Sequence, residues 1–161
     1  MGCGKSTTGR RVAKQLEVKY ADTDALVEER EGASVNDIFY YEGEEYFRAA
    51  ERRVLEELIN SEDDIVVSTG GGLPTWSDNM ELMNSAGVTV WIDRSAEQTA
   101  KRLSPHGRQK RPKLRGLNDE ELVLFMREDM ARREPCYSQA VQVVACEGKS
   151  DDEIIREIID F

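Results

Sequence analysis

Short apolar runs alternate along the chain with segments in which apolar residues recur at helical spacing. Each run has the length and composition of a buried β-strand. The runs are Val18–Ala21, Ile65–Val67, Val88–Ile92 and Val141–Val144. Apolar strands that alternate with helices predict the α/β class, with a central parallel sheet covered by helices on both faces.

The segments between these runs predict helices that are interrupted at glycine or proline. The predicted helices are Lys5–Leu16, Ala25–Asn60 with breaks near Gly32 and Gly43, Asp78–Ala86, Ser95–Leu103 and Asp119–Arg133. We expect the last of these to end before Pro135, because proline cannot donate a helical hydrogen bond. A further helix is predicted after Ser150, which is spaced to form a capping box with Glu153. The basic segment Ser104–Gly116 is predicted to be a loop.

The composition predicts one folded, cytoplasmic domain over residues 1–161. Hydrophobic residues make up 39% of the chain and charged residues 34%, as is typical of globular proteins. No apolar run approaches the roughly 20 residues of a membrane helix, and residues 1–15 lack the apolar stretch of a secretory signal. Cys3, Cys136 and Cys146 have no C-x-x-C spacing and are expected to be reduced thiols.

Charge is distributed unevenly along the sequence. The net charge of −10 argues against nucleic acid as a partner, because duplex binding requires a basic surface. Between Gln98 and Asn118 there is no acidic residue, and the basic residues there are Lys101, Arg102, Arg108, Lys110, Arg111, Lys113 and Arg115. A local positive field in an acidic protein favours a small anionic ligand.

The stretch GCGKST at residues 2–7 matches the second half of the phosphate-binding pattern G-x-x-x-x-G-K-[ST]. In the complete pattern, backbone N–H groups at a helix N-terminus surround a phosphate, the lysine reaches its oxygens and the hydroxyl binds Mg²⁺. The first glycine would lie two residues before Met1, and the strand that normally precedes the loop is also missing. We expect a native start upstream of Met1, or a tag in its place. The alternative is a glycine-rich tail before a capped helix.

Further short motifs follow in order along the chain. They are Asp22-Thr23-Asp24, Phe47-Arg48-x-x-Glu51, Ser68-Thr69-Gly70-Gly71-Gly72, Arg111-Pro112 and Arg133-x-Pro135-x-Tyr137. The first and third lie at the carboxyl ends of predicted strands, where ligands bind in parallel α/β sheets. Together with GCGKST, this set closely resembles the shikimate kinases, small P-loop phosphotransferases, over essentially the whole chain.

The resemblance implies a three-layer α/β/α fold of the P-loop NTPase type, with its first strand missing or truncated here. It implies a substrate-binding helical segment at about 25–60 and a lid at about 104–117. The implied reaction is the ATP-dependent phosphorylation of the 3-hydroxyl of shikimate in aromatic amino acid biosynthesis, with Mg²⁺ as cofactor. The implied protein is a monomer whose partners are shikimate and ATP, with neither nucleic acid nor membrane.

On the substrate side, the resemblance implies that Asp24 binds ring hydroxyls and orients or deprotonates the attacking one. Arg48 and Arg133 would grip the carboxylate, and a guanidinium fits a planar carboxylate with two parallel hydrogen bonds. Glu51 would hold Arg48. The remaining residues implied to bind or enclose the substrate are Gly70, Gly71, Gly72, Phe39 and Phe47.

On the nucleotide side, the resemblance implies that Lys5 contacts the transferring phosphate and that Arg111 of the lid meets the phosphates on closure. With Asp24, these two complete the implied catalytic set. Ser6 would bind Mg²⁺, and Asp22 would hold the metal through water. The residues implied to bind ATP are Gly2, Cys3, Gly4, Lys5, Ser6, Thr7 and Arg111.

Each motif also has a simpler explanation. Asp22 and Asp24 fit a strand-end turn, Arg48 fits a solvated i,i+3 pair with Glu51, and Arg133 fits the charge preference of a helix C-terminus. Three consecutive glycines are harder to explain without a ligand, because each costs backbone entropy and offers no packing.

Some positions depart from the family pattern. Lys149 is a loose substitute for an arginine that the family often places near the adenine, and Arg102 and Arg108 are the candidates for a second lid arginine. Two alternative functions stay open: a gluconate-type or other small-molecule kinase on the same fold, and a non-catalytic P-loop relic that binds an anion.

Overall fold

The computed structural model describes residues 2–109 and 111–161, so that Lys110 of the basic segment lies outside the described residues. The chain divides into two compact units. Ser6–Thr89 forms one, and Val90–Phe161 together with residues 2–5 forms the other. Each unit combines helices with a pair of parallel strands, which confirms the α/β class. No helix in the described ranges is long and apolar enough to cross a membrane.

In the unit Ser6–Thr89, strand β1 (Lys19–Asp22) pairs in parallel with β2 (Ile65–Ser68). The register sets Asp22 opposite Ser68 at the carboxyl end of the pair. Because both strands end at the same level, the segments that follow them begin side by side. These segments carry the Asp-Thr-Asp and triple-glycine motifs, and the register therefore brings the two motifs together.

The helices of this unit are α1 (Lys5–Leu16, which begins in the other unit), α2 (Thr23–Glu31), α3 (Val35–Tyr41), α4 (Gly43–Ile59) and α5 (Asn79–Ala86), with a 3₁₀ turn at Leu73–Thr75. The predicted breaks near Gly32 and Gly43 are confirmed. A core joins α2, α3 and α4, and its buried side chains are Val27, Ile38, Phe47, Ala50 and Val54. This core fixes α4, which carries Arg48 and Glu51.

In the other unit, β3 (Val90–Asp93) pairs in parallel with β4 (Gln142–Ala145). Its helices are α6 (Ala96–Arg102), α7 (Pro105–Gln109), α8 (Asp119–Tyr137) and α9 (Asp151–Ile159), with a 3₁₀ turn at Pro112–Leu114. The predicted capping box of Ser150 and Glu153 is present at the start of α9.

The prediction that Ser104–Gly116 is a loop is wrong in part, because α7 and the 3₁₀ turn lie within it. Leu114 is the reason, since its side chain is only 1% exposed. It packs in a cluster with Ala100, Leu103, Leu122 and Met126. A single apolar residue in a basic segment therefore anchors the segment to α6 and α8.

The prediction that α8 ends before Pro135 is also wrong, because the helix continues to Tyr137. Proline removes one donor, but the turn closes behind it: the Ser138 N–H donates to the Glu134 carbonyl at 2.8 Å. The Tyr137 ring packs edge-on to Trp91, with 6.0 Å between ring centroids. We infer that packing of the last turn compensates for the missing hydrogen bond.

Candidate active site

The site begins at the carboxyl end of β1, where Asp22 caps α2. Its Oδ1 accepts a hydrogen bond from the Asp24 N–H at 3.2 Å. Its Oδ2 accepts from the Ser6 hydroxyl at 2.8 Å and from the Tyr20 hydroxyl at 3.4 Å. The strand-end turn expected as the simpler explanation is therefore present, and the same carboxylate also contacts the hydroxyl of the GCGKST stretch.

Thr23 connects this turn to the end of β2. Its hydroxyl is buried and accepts a hydrogen bond from the Gly70 N–H at 2.9 Å. A buried backbone donor needs such a partner, because an unsatisfied one costs about 1–3 kcal/mol. The contact fixes the start of the glycine turn relative to α2.

The glycine turn lies directly against three charged side chains. A Cβ on Gly70 would overlap carboxylate oxygens of both Asp24 and Glu51. A Cβ on Gly72 would lie 2.5 Å from Cζ of Arg48, well inside van der Waals contact. Only glycine allows this approach, so the turn gathers a carboxylate from α2 and an ion pair from α4 around one short backbone segment.

Arg48 is held on several sides. It pairs with Glu51, which is 1% exposed, and its Nη2 lies 3.1 Å from Oε1 of Glu44. Its Cζ lies 5.7 Å from the ring centroid of Phe39 and 5.3 Å from that of Phe47, within cation–π range. The pair with Glu51 is therefore enclosed rather than solvated, and the guanidinium is oriented before any ligand binds.

The GCGKST stretch begins in the other unit. Gly2 and Gly4 have φ values of 77° and 93°, which favour glycine, and α1 begins at Lys5 immediately after them. A Cβ on Gly2 would lie 3.0 Å from Cγ of Leu103, and one on Gly4 would lie 3.3 Å from Nη2 of Arg102. The C-terminal end of α6 thus lies against this loop.

The two candidates for a second lid arginine make different contacts. Arg102 lies beside Gly4. Arg108 instead pairs with Asp119, with 2.6 Å between Nη1 and Oδ1. Arg111 bonds within its own segment, since its Nη1 donates to the Gly107 carbonyl at 2.5 Å.

Arg133 lies on α8, where it is already paired. Its Nη2 lies 3.1 Å from Oδ1 of Asp129, and its Nη1 donates to the Tyr137 hydroxyl at 3.4 Å. Burial lowers the pKa of Arg133, but hydrogen bonds and charge interactions with Tyr137 and Asp129 raise it by more. The pKa of Arg133 therefore lies above its ordinary value. Lys5, Arg111 and Arg133 belong to the other unit, and their convergence with Asp24 stays a prediction.

Oxygen ligands for a cation are present at one point. The Ser6 hydroxyl and the Asp22 carboxylate are in direct contact, and both are ligand types that Mg²⁺ accepts. Within residues 2–109 and 111–161 there is no cluster of three or more His, Cys, Asp or Glu side chains that could hold a metal. A magnesium ion bound directly by Ser6 and held by Asp22 through water would therefore take its other ligands from phosphates and water, as Mg²⁺ commonly does.

The sequence model of the family described as shikimate kinase matches residues 1–161. The chain belongs to the shikimate kinase family. The shikimate kinase of Azobacteroides pseudotrichonymphae is 36% identical over 159 residues, which cover 99% of this chain and 93% of the relative. Two solved structures of the family are also similar. Shikimate kinase from Bacteroides thetaiotaomicron has a TM-score of 0.90 at 34% identity, covering 99% of this chain and 92% of its own.

The second structure is a shikimate kinase from Acinetobacter baumannii in complex with shikimate. It has a TM-score of 0.86 at 30% identity and covers 99% of this chain and 87% of its own. These matches confirm the family that the ordered motifs indicated, and with it the P-loop NTPase fold.

Three residues that contact predicted site residues were not themselves predicted from the sequence: Thr23 and Glu44 in one unit and Asp129 in the other. Glu44 and Asp129 precede Arg48 and Arg133 by four residues, the spacing of an ion pair on one helix face. That signal was present in the sequence. Thr23 gave no comparable signal, because its complete burial depends on packing between elements.

Proposed function

We propose that this chain catalyses the ATP-dependent phosphorylation of the 3-hydroxyl of shikimate, forming shikimate 3-phosphate in aromatic amino acid biosynthesis. The observation that carries the proposal is the packing of Asp24, Glu51 and Arg48 against Gly70 and Gly72. Shikimate bears both hydroxyls and a carboxylate. A carboxylate base and an oriented guanidinium at one glycine turn match these two groups.

Arg48 binds the shikimate carboxylate with two parallel hydrogen bonds, and Arg133 supplies the second guanidinium. Asp24 binds the ring hydroxyls and accepts the proton of the attacking one, as a general base. The backbone N–H of Gly71 donates to the substrate. Glu51 keeps the Arg48 guanidinium in its binding orientation.

Residues 2–7 bind the phosphates of ATP, with Lys5 on the phosphate that is transferred. Phosphoryl transfer has a loose transition state, and catalysis depends mainly on positioning and charge stabilisation. Lys5 and Arg111 provide positive charge where negative charge develops. Arg111 must exchange its hydrogen bond to the Gly107 carbonyl for the phosphates, a change that we assign to lid closure.

Mg²⁺ is the proposed cofactor. Ser6 would bind it directly and Asp22 would hold it through water, and the contact between their oxygens fits both assignments. When bound, the ion neutralises phosphate charge and helps to orient the nucleotide. We further propose one functional domain over residues 1–161 and a cytoplasmic monomer, with no nucleic-acid or membrane partner.

The test is a set of separate titrations with ATP·Mg²⁺ and with shikimate, followed by turnover assays with shikimate and with gluconate. We expect binding of both ligands and turnover with shikimate. Turnover with gluconate alone would instead establish a sibling kinase on the same fold. Binding of shikimate without turnover would establish a non-catalytic relic, and either result would overturn the proposal.

A further inference from the structure

Arg102, one of the two candidates for a second lid arginine, lies beside the GCGKST loop. A Cβ on Gly4 would be 3.3 Å from Nη2 of Arg102 and 3.7 Å from its Cζ and Nε, so the guanidinium packs along the loop backbone. Its neighbour Leu103 packs against Gly2 in the same way. A cation beside this loop would add positive charge close to the ATP phosphates that the proposed function assigns to residues 2–7.

Arg102 does not hold this position by itself, because a long side chain at a helix end has many rotamers. Asp151, the first residue of α9, accepts from it through two bonds. Nη1 lies 3.1 Å from Oδ1, and Nη2 lies 3.2 Å from Oδ2. This is the two-pronged arrangement in which a guanidinium is oriented as well as attracted.

Arg94 also contacts the Asp151 carboxylate. It follows β3, its side chain is 6% exposed, and its Nη2 lies 3.3 Å from Oδ1 of Asp151. The hydrogen bond from Arg102 is the main cause that lowers the pKa of Asp151, and the charges of both arginines lower it further. Two cations share one anion, so this Arg94–Asp151–Arg102 cluster keeps a net positive charge.

We propose that Asp151 is a positioning residue for ATP: it fixes the Arg102 guanidinium beside the phosphate loop, and nucleotide affinity depends on it. The inference rests on the proposed kinase function. Without the carboxylate, Arg102 loses its anchor and is repelled by Arg94, so that the cation leaves the loop. Asp151 thereby couples the start of α9 to the loop before α1 without belonging to the GCGKST motif.

The first test is Asp151→Asn, which keeps the side-chain shape and removes the charge. We expect the KM for ATP and the calorimetric Kd for ATP·Mg²⁺ to rise about tenfold, as for loss of a charge-assisted contact. We expect the KM for shikimate and kcat to change less than twofold. The matched control is Asp152→Asn, which removes the same charge from the same turn of α9 and should leave the Kd for ATP unchanged.

A double-mutant cycle shows whether Asp151 acts through Arg102. We expect Arg102→Ala to weaken ATP binding, and addition of Asp151→Asn to weaken it no further. Asp151→Glu, which restores the charge, should recover most of the affinity and serves also if Asp151→Asn does not fold. Additive effects, or an equal loss in Asp152→Asn, would overturn the proposal.

The positioning role of Asp151 and the kinase function predict different results for the wild-type chain and for Asp151→Asn. If the wild-type chain binds ATP·Mg²⁺ and phosphorylates shikimate while Asp151→Asn binds ATP equally well, the positioning role is wrong and the kinase function stands. If the wild-type chain binds no ATP, the kinase function is wrong and the positioning role falls with it.

Discussion

Gly72 has no side chain, and the Arg48 guanidinium fills the space that a side chain there would need. Gly72→Ala must therefore displace this guanidinium. We expect the KM for shikimate to rise at least tenfold, because a displaced Arg48 loses hydrogen bonds to the carboxylate that contribute about 1.5–3 kcal/mol each. The KM for ATP should stay within twofold. Steady-state kinetics with each substrate varied in turn measures both.

The matched control is Gly87→Ala, since a Cβ there would meet nothing within 4 Å and the backbone is extended. This variant should behave as wild type in both KM values. An unchanged KM for shikimate in Gly72→Ala would show that the substrate does not use Arg48.

Asp24 is the proposed general base, and its role in accepting a proton can be tested without changing the size of its side chain. Asp24→Asn keeps the size of the side chain but cannot accept the hydroxyl proton. We expect kcat to fall by about 10²- to 10⁴-fold while shikimate binding remains measurable. Turnover assays measure kcat, and calorimetric titration measures the binding of shikimate. A wild-type kcat would remove Asp24 from the mechanism.

At the scale of single residues, the sequence indicated which side chains suit the substrate but not how deeply they are buried or which residues they contact. The family resemblance implies substrate binding by Asp24, Arg48 and the triple glycine, and the structure brings these residues together. The sequence could not show that Glu51 is buried, because burial depends on the packing of α4 against the rest of its unit. Nor could it show that Thr23 closes the glycine turn.

At the scale of elements, the sequence predicted the strands and their parallel pairing correctly, because these follow from the regular alternation of apolar runs and helices. The strand predicted at Val18–Ala21 is Lys19–Asp22, an offset of one residue, and parallel register then places both motif-bearing turns at one edge. Prediction failed where one tertiary contact outweighs local preference. Leu114 orders a basic segment, and Tyr137 sustains a helical turn beyond a proline.

The last turns of α8 carry a further prediction. Arg133→Ala should raise the KM for shikimate by the equivalent of about 2–3 kcal/mol, the value of a hydrogen bond to a charged group. The KM for ATP should be nearly unchanged. Steady-state kinetics with both substrates measures the two effects separately.

Arg132→Ala provides the control. Arg132 is 66% exposed and also lies near Asp129, at 3.3 Å, so the variant removes the same charge from the same helix. It should leave both KM values unaltered. An equal rise of both KM values in Arg133→Ala would mean that Arg133 has been assigned to the wrong ligand.

At the scale of the whole molecule, two arginines of the basic run between Gln98 and Asn118 are paired with carboxylates that lie outside this run. Arg102 is paired with Asp151, and Arg108 with Asp119. An anion therefore meets guanidinium groups that are already oriented by carboxylates elsewhere in the chain. Such pre-orientation favours a specific ligand over a polyanion, which agrees with the net charge of −10.

The cysteines allow nucleotide occupancy of the loop to be measured without an activity assay. Cys3 lies in the GCGKST stretch and is partly exposed, whereas Cys146 is 1% exposed and burial raises the pKa of its thiol. We expect iodoacetamide to modify Cys3 in the folded protein and to leave Cys146 intact, because only an accessible thiolate reacts.

ATP·Mg²⁺ at about ten times its Kd should slow the modification of Cys3 about tenfold, because only the free fraction of the loop stays reactive. Peptide mass spectrometry over a time course gives the rates. Cys136, partly exposed and outside the loop, supplies the reference rate in the same sample and should not respond to ATP. If Cys3 reacts equally fast at saturating ATP, the nucleotide does not cover this loop. The roles proposed for Lys5 and Ser6 would then fail together, whereas Asp24 and Arg48 would remain a site for the hydroxy acid alone.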